Sequence, residues 1–147
     1  MTQRDYVLRM IEQMAIMVAE LRRRIVGGGA VDIENGARAL ATHAGIDLDL
    51  ARTLPVETLI DILSPGGMID VTRVWFLGEL LYLEGLAEER SGDVERGLDM
   101  LARARRLYGA LDGGVSVGVV PEVKERLREL NAILESDRGL PPPPSAA

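Results

Sequence analysis

VTRVWFLGELLYLEGLAEER, residues 71–90, decides the fold. Val74, Trp75, Phe76, Leu77, Leu80, Leu81, Tyr82, Leu83, Leu86 and Ala87 surround most of the circumference of a helix. A helix that is apolar on nearly all sides is a central one, packed by neighbours on several faces. Asp70 stands where an N-cap is needed, and Ser91-Gly92-Asp93 breaks the helix and restarts the chain. Trp75 and Phe76 are adjacent, so their side chains leave the helix about 100° apart and cannot fill the same space. Core is the expected place for both, with a groove-lining position open to one of them.

Working outward, the next helix follows Asp93 and carries Val94, Leu98, Leu101, Leu107, Tyr108 and Leu111, with Gly97 and Ala104 as small contact positions. After the Gly113–Gly118 loop, Pro121 opens a last helix whose seam is Val120, Val123, Leu127, Leu130 and Leu134. The Val115–Val120 stretch is β-branched but short and glycine-rich, and reads as loop. Gly139 and the four prolines after it predict a disordered tail over 139–147, which leaves 1–138 as a single helical domain.

Upstream, Ser64-Pro65-Gly66-Gly67 is a stop and turn. Before it, Pro55 suits a first helical position ahead of Val56, Leu59, Ile60 and Leu63, and Asp47 suits the cap of a short helix to Arg52. A helix from an Asp32 cap to Ala44 is rich in alanine and so allows close approach. The first helix, about Thr2 to Ile25, has its apolar residues Val7, Ile11, Met14, Val18, Leu21 and Ile25 spaced 4, 3, 4, 3, 4. Such a seam needs a partner helix, supplied from within the chain or by a second copy in a homodimer. Gly27, Gly28 and Gly29 end it. The fold class is therefore all-α: antiparallel hairpins of about six to seven helices.

Two hairpin junctions are alike, Asp32-Ile33-Glu34-Asn35-Gly36 before Leu40 and Asp93-Val94-Glu95-Arg96-Gly97 before Leu101. Leu77-Gly78 with Leu81-Tyr82, followed by Gly92-Asp93-Val94-Glu95, Gly97, Leu101 and Ala104, resembles a tetratricopeptide-type hairpin. The final helix is similar to the capping helix that closes such arrays, so the resemblance covers Val71–Leu134. It departs from the pattern in a longer first helix, in Gly97 where alanine is usual, and in lacking a closing proline. The opening Asp5-Tyr6-Val7-Leu8-Arg9-Met10-Ile11-Glu12-Gln13, with the later Glu84-Gly85 pair, resembles a family of uncharacterised small bacterial helical proteins. That resemblance implies a helical, tetratricopeptide-like protein and names no activity.

Composition narrows the function classes. The net charge of −6 offers no basic face of the size that phosphate backbones require, so no nucleic-acid partner is expected. Asp5, Glu12 and Glu20 interrupt the first helix, and no uncharged run reaches the roughly 20 residues of a membrane span. No membrane partner is expected. With no cysteine, disulfides and thiolate chemistry are absent, and cytoplasm is the expected location. Lys124 is the single lysine beside 16 arginines, a codon signature of a GC-rich bacterial genome.

No catalytic residue, metal ligand or cofactor is predicted. His43, the one histidine, reads as a helix-end residue beside the C-terminal dipole. Glu84, Glu88 and Glu89 with Asp93 and Glu95 read as a solvated acidic face, and the alternative is a small-ligand or metal-dependent enzyme that brings Glu84, Glu88 and His43 together. Arg22, Arg23 and Arg24, and Arg103, Arg105 and Arg106, read as last-turn cations offsetting helix dipoles, or as clamps for an acidic peptide or a phosphate. Asp5, Tyr6, Arg9 and Glu12 form ordinary helix-face pairs at spacings of 4 and 3. Together with Trp75, Glu84 and Glu88 they are the candidate interaction surface of a scaffold or adaptor that holds a protein, a peptide or its own copy.

Overall fold

Asp70 accepts a hydrogen bond from the Arg73 backbone N–H at 3.1 Å and so starts the central helix α5, Val71–Ser91. Gly92 ends it in the left-handed conformation, φ +101°, where a side chain would be strained. Around it the computed structural model places α1 Gln3–Val26, α2 Ala30–His43, α3 Leu48–Thr53, α4 Val56–Ile62, α6 Val94–Asp112 and α7 Val120–Asp137. The structure describes residues 3–27, 30–43, 45–112 and 120–137, without the side chains of 3–8, 10, 11, 14, 26, 30–34, 43, 112, 120–122, 136 and 137. Seven α-helices, one 3-10 turn at Pro65–Gly67 and no strand make up the described residues. The fold is all-α. The Gly113–Gly118 loop and the Pro-rich segment 139–147 lie outside the described residues.

Helix α5 is enclosed as its composition demands. Residues 74–85 are buried without a break, Trp75 and Phe76 included. Helix α6 runs back along it: Gly78 faces the Tyr108 ring, Gly85 faces Leu101 and Gly97, and Glu89 meets Gly97. These pairings fall in reverse order along the two helices, which fixes the hairpin as antiparallel. The crossing is tight because two glycines meet there. The carbonyl oxygen of Gly97 lies 2.9 Å from where a Cβ on Gly85 would stand.

On the other side, α1 runs in the same direction as α5, since Arg22 sits over the Tyr82 ring and the Ile25 carbonyl accepts from Arg90 at 3.3 Å. The described half of the α1 seam, Val18, Leu21 and Ile25, is buried in the core of this chain. The side chains of Val7, Ile11 and Met14 lie outside the described residues. Gly36 of α2 faces Leu21, where a Cβ would come within 2.9 Å, so the first hairpin also closes on a glycine.

Helix ends depart from the expected ones in three places. α2 starts at Ala30, so Asp32 stands inside the first turn and not at the N-cap. Pro55 is the residue before α4, with an extended ψ of 143°, and Val56 takes the first helical position. α6 runs to Asp112, so Arg103, Arg105 and Arg106 are not in its last turn. Arg103 instead donates to the carbonyls of Ala51, at 2.7 Å, and Leu54, and so caps the C-terminal end of the neighbouring α3. Asp47 caps the start of α3 through the Leu50 N–H as expected. Arg38 of α2 holds Asp49 with two hydrogen bonds of 3.2 and 3.1 Å, and that contact keeps the Asp49 carboxyl below the usual carboxylate range.

Candidate functional site: a polar cluster between three helices

Thr72, Trp75, Glu79 and Tyr82 recur at spacings of 3, 4 and 3, so they share one face of α5. All four are buried, which puts a stripe of polar atoms inside an otherwise apolar helix. A buried carboxylate is stable only when paired and hydrogen-bonded. Helix α7 supplies the partner: Arg126 Nε donates to the two Glu79 oxygens at 3.0 and 3.3 Å. One turn further along both helices, the Tyr82 hydroxyl donates to Glu129 Oε2 at 2.5 Å. Successive turns of α5 thus meet successive turns of α7 in the same order, so these helices run in the same direction.

Arg22 brings α1 into the group. Its guanidinium lies 5.8 Å from the centroid of the Tyr82 ring, and that of Arg126 lies 5.4 Å from it. Two cations therefore attend one ring, an arrangement favoured by the ring quadrupole. The Glu129 carboxylate links the set: besides Tyr82 it meets Arg126 Nη1 at 3.4 Å and Arg22 Nη2 at 3.8 Å. Arg22 and Glu129 are 38% and 30% exposed at the side chain, whereas Glu79 is 2% exposed. The cluster has a buried floor and a rim that solvent reaches.

Electrostatics follow from that placement. Burial, then the hydrogen bond and charge of Glu129, pushes the Tyr82 phenol well above its ordinary value, against the opposing pull of Arg22 and Arg126. Burial and the charge of Glu79 do the same to Tyr108 on α6. For Arg126, burial works against the charged form, but Glu79, Tyr108 and Glu129 outweigh it and hold the guanidinium charged above its usual range. Both phenols are neutral in the fold and, once unfolded, ionise near pH 10. Their raised values contribute stability that is fully present below about pH 10 and lost as pH climbs through the folded values. In an alkaline titration, the phenolate band of Tyr82 and Tyr108 is expected to rise only together with loss of helical circular dichroism. Phenolate formation by all three tyrosines near pH 10 with full helicity would contradict this burial.

The residues singled out from the sequence are scattered. Arg9 and Glu12 are exposed on α1, and the side chains of Asp5 and Tyr6 lie outside the described residues. Trp75 is 3% exposed and belongs to the core, so it offers no surface to a partner. Glu84 corrects the reading of a solvated acidic face. Its carboxylate is buried and accepts from Arg52 of α3, Nε at 2.9 Å and Nη2 as well, with 7% and 10% of the two side chains exposed. Two turns of sequence pattern could not show this, because the partner is 32 residues away. Glu88 stays near the surface and pairs with Arg96 at 3.7 Å. The His43 side chain lies outside the described residues.

Two other features complete the surface. An open depression of about 680 Å³ at the start of α6 is lined by Asp93, Glu95, Arg96, Leu98 and Asp99. Among the described residues, no group of three or more His, Cys, Asp or Glu side chains is placed to hold a metal ion, and no helix is long and apolar enough to cross a membrane. Of these residues the sequence singled out Arg22 and Trp75, and Tyr82 only as part of the apolar helix and its hairpin pattern. Glu79, Arg126 and Glu129 were missed, although a charged Glu79 in the middle of an apolar helix was the available signal for a buried partner. Compared with protein families, with curated proteins and with solved structures, the chain has no match.

Proposed function

We propose that this chain is a non-catalytic helical interaction module, a scaffold or adaptor of tetratricopeptide-like build. The observation that supports it most is that α1, α5 and α7 run in the same direction and are joined by long side chains, Glu79–Arg126, Tyr82–Glu129 and Arg22–Glu129. Helices that run alike and meet through polar side chains form a continuous surface whose chemistry is set residue by residue. Repeat proteins use such surfaces to hold peptides and partner proteins. The partner is a protein or peptide, or a second copy of the chain meeting the N-terminal part of the α1 seam. Cytoplasm is the proposed setting.

Capture from a lysate of the native host, with the tagged chain and an Arg22→Glu variant side by side, tests the reading. Arg22 is 38% exposed but faces the Tyr82 ring and Glu129, so circular dichroism checks that the variant keeps the helices of the native chain. One protein recovered in near-stoichiometric amount by the native chain, and at least about tenfold less by the variant, is the expected result for loss of a charge at the contact. Equal recovery by both would sink the α1–α5–α7 surface. Failure of either to recover anything, with a solution mass equal to the 16.0 kDa of one chain, would sink the interaction module.

A further inference from the structure

The donors around Glu129 make up a receptor of their own. The Tyr82 hydroxyl at 2.5 Å, Arg126 Nη1 at 3.4 Å and Arg22 Nη2 at 3.8 Å come from three different helices and converge on one carboxylate. Tyr82 and Arg126 are held in place from beneath, the ring by burial and by the guanidiniums beside it, and Arg126 by the buried Glu79. Glu129 sits on the outer side, with 30% of its side chain exposed, so solvent reaches it while Tyr82 and Glu79 beneath it are buried. Donors from three helices closed by one solvent-reached acceptor are the arrangement of a site occupied from within.

Charge supports the same conclusion. Arg22 and Arg126 are balanced by Glu79 and Glu129, two cations against two anions. When Glu129 turns out to solvent, two cations face one anion, and the Tyr82 hydroxyl loses its acceptor. An incoming carboxylate restores both the charge balance and the hydrogen bond, with the charge-assisted geometry that guanidinium groups favour. A neutral group restores neither.

We propose that Arg22, Tyr82 and Arg126 form a carboxylate-binding site that Glu129 occupies in cis, and that a carboxylate of a partner peptide displaces it. This rests on the interaction-module reading and names the chemistry its surface takes. Glu129 is then an internal competitor: it lowers the apparent affinity by the fraction of molecules in which the site is closed. The site rejects phosphate-free neutral peptides and accepts acidic ones, from a side chain or from a chain terminus.

Fluorescence anisotropy on the full chain tests this with three labelled peptides: amidated tetraglutamate, which offers only side-chain carboxylates, tetraglutamine with a free C-terminus, which offers only the terminal one, and amidated tetraglutamine. Glu129→Gln keeps an acceptor for Tyr82 and removes the competing charge. It is expected to bind one of the first two peptides about tenfold more tightly than the native chain, with no gain for the neutral peptide. Whichever peptide gains identifies the source of the carboxylate. Adding Arg22→Gln to Glu129→Gln is expected to abolish that gain. Equal affinity of the native and Glu129→Gln chains for both carboxylate peptides would overturn the proposal, even where lysate capture still depends on Arg22. Should Glu129→Gln lose its helical signal, the native chain and Arg22→Gln decide, since equal binding of both carboxylate peptides by those two overturns it as well.

Discussion

Arg126→Met is expected to destabilise the fold by about 3 kcal/mol, the lower end of what is lost when one partner of a buried ion pair is removed. The reason lies in Glu79, 2% exposed, whose two carboxylate oxygens accept from Arg126 Nε at 3.0 and 3.3 Å. Without the guanidinium the choice is to keep a charge in a low-dielectric interior or to take up a proton, and both cost free energy. Arg126 keeps 18% exposure, so water relieves part of the penalty and the upper end of the range does not apply. The decisive comparison is the double variant Glu79→Leu with Arg126→Met. Replacing both members of a buried pair by apolar groups of similar size is often nearly neutral. Chemical denaturation of the two variants is therefore expected to place the double variant well above the single one. A single variant as stable as the native chain would mean that the pair does not hold α7 to α5.

Gly85→Ala is the second large effect, and it is a test of the hairpin. The new Cβ would stand 2.7 Å from Leu101 Cγ, 2.8 Å from its Cδ2 and 2.9 Å from the Gly97 carbonyl oxygen. A leucine side chain has room to turn only if the core around it yields, and a backbone oxygen yields only if α6 moves. Overpacking of this kind costs about 3 kcal/mol, from which the better helix propensity of alanine returns about 1. The net loss of about 2 kcal/mol corresponds to a fall in melting temperature of about 6 °C for a chain of this size. Gly97→Ala meets the Gly85 oxygen at 2.8 Å and the Glu89 backbone nitrogen at 3.0 Å, so it is expected to behave alike. A Gly97→Ala chain more stable than the native one would show that the two helices stand further apart than described.

These two sites also show how far a sequence can be read. Gly97 was visible as a small residue at a contact position and the enclosure of α5 in its all-round apolar pattern, because both are local consequences of helical periodicity, whereas Gly85 stood out only as half of the Glu84-Gly85 pair. The Asp47, Asp70 and Asp93 caps were visible too, since each depends on the residue three positions on. The polar cluster is different. Glu79 and Arg126 are 47 residues apart, and Tyr82 and Glu129 likewise. No periodicity within a helix carries that pairing, which exists only once α7 has packed on α6 and its side chains reach α5. The same holds for Glu84, whose sequence neighbours Glu88 and Glu89 suggest a wet acidic face while Arg52, on α3, takes it into the interior. Glu79 on a largely apolar helix was thus a signal of burial that went unread, Glu84 was read as solvated, and neither showed its partner.

The α1–α5–α7 surface is the proposed place where a partner sits. Hydrogen–deuterium exchange on the full chain, free and saturated with the protein captured from native-host lysate, maps that place most directly. The expected result is added protection in α1 around Arg22, in α5 around Tyr82 and in α7 around Arg126 and Glu129. Added protection confined to the depression at Asp93–Asp99, with those three segments unchanged, would contradict it.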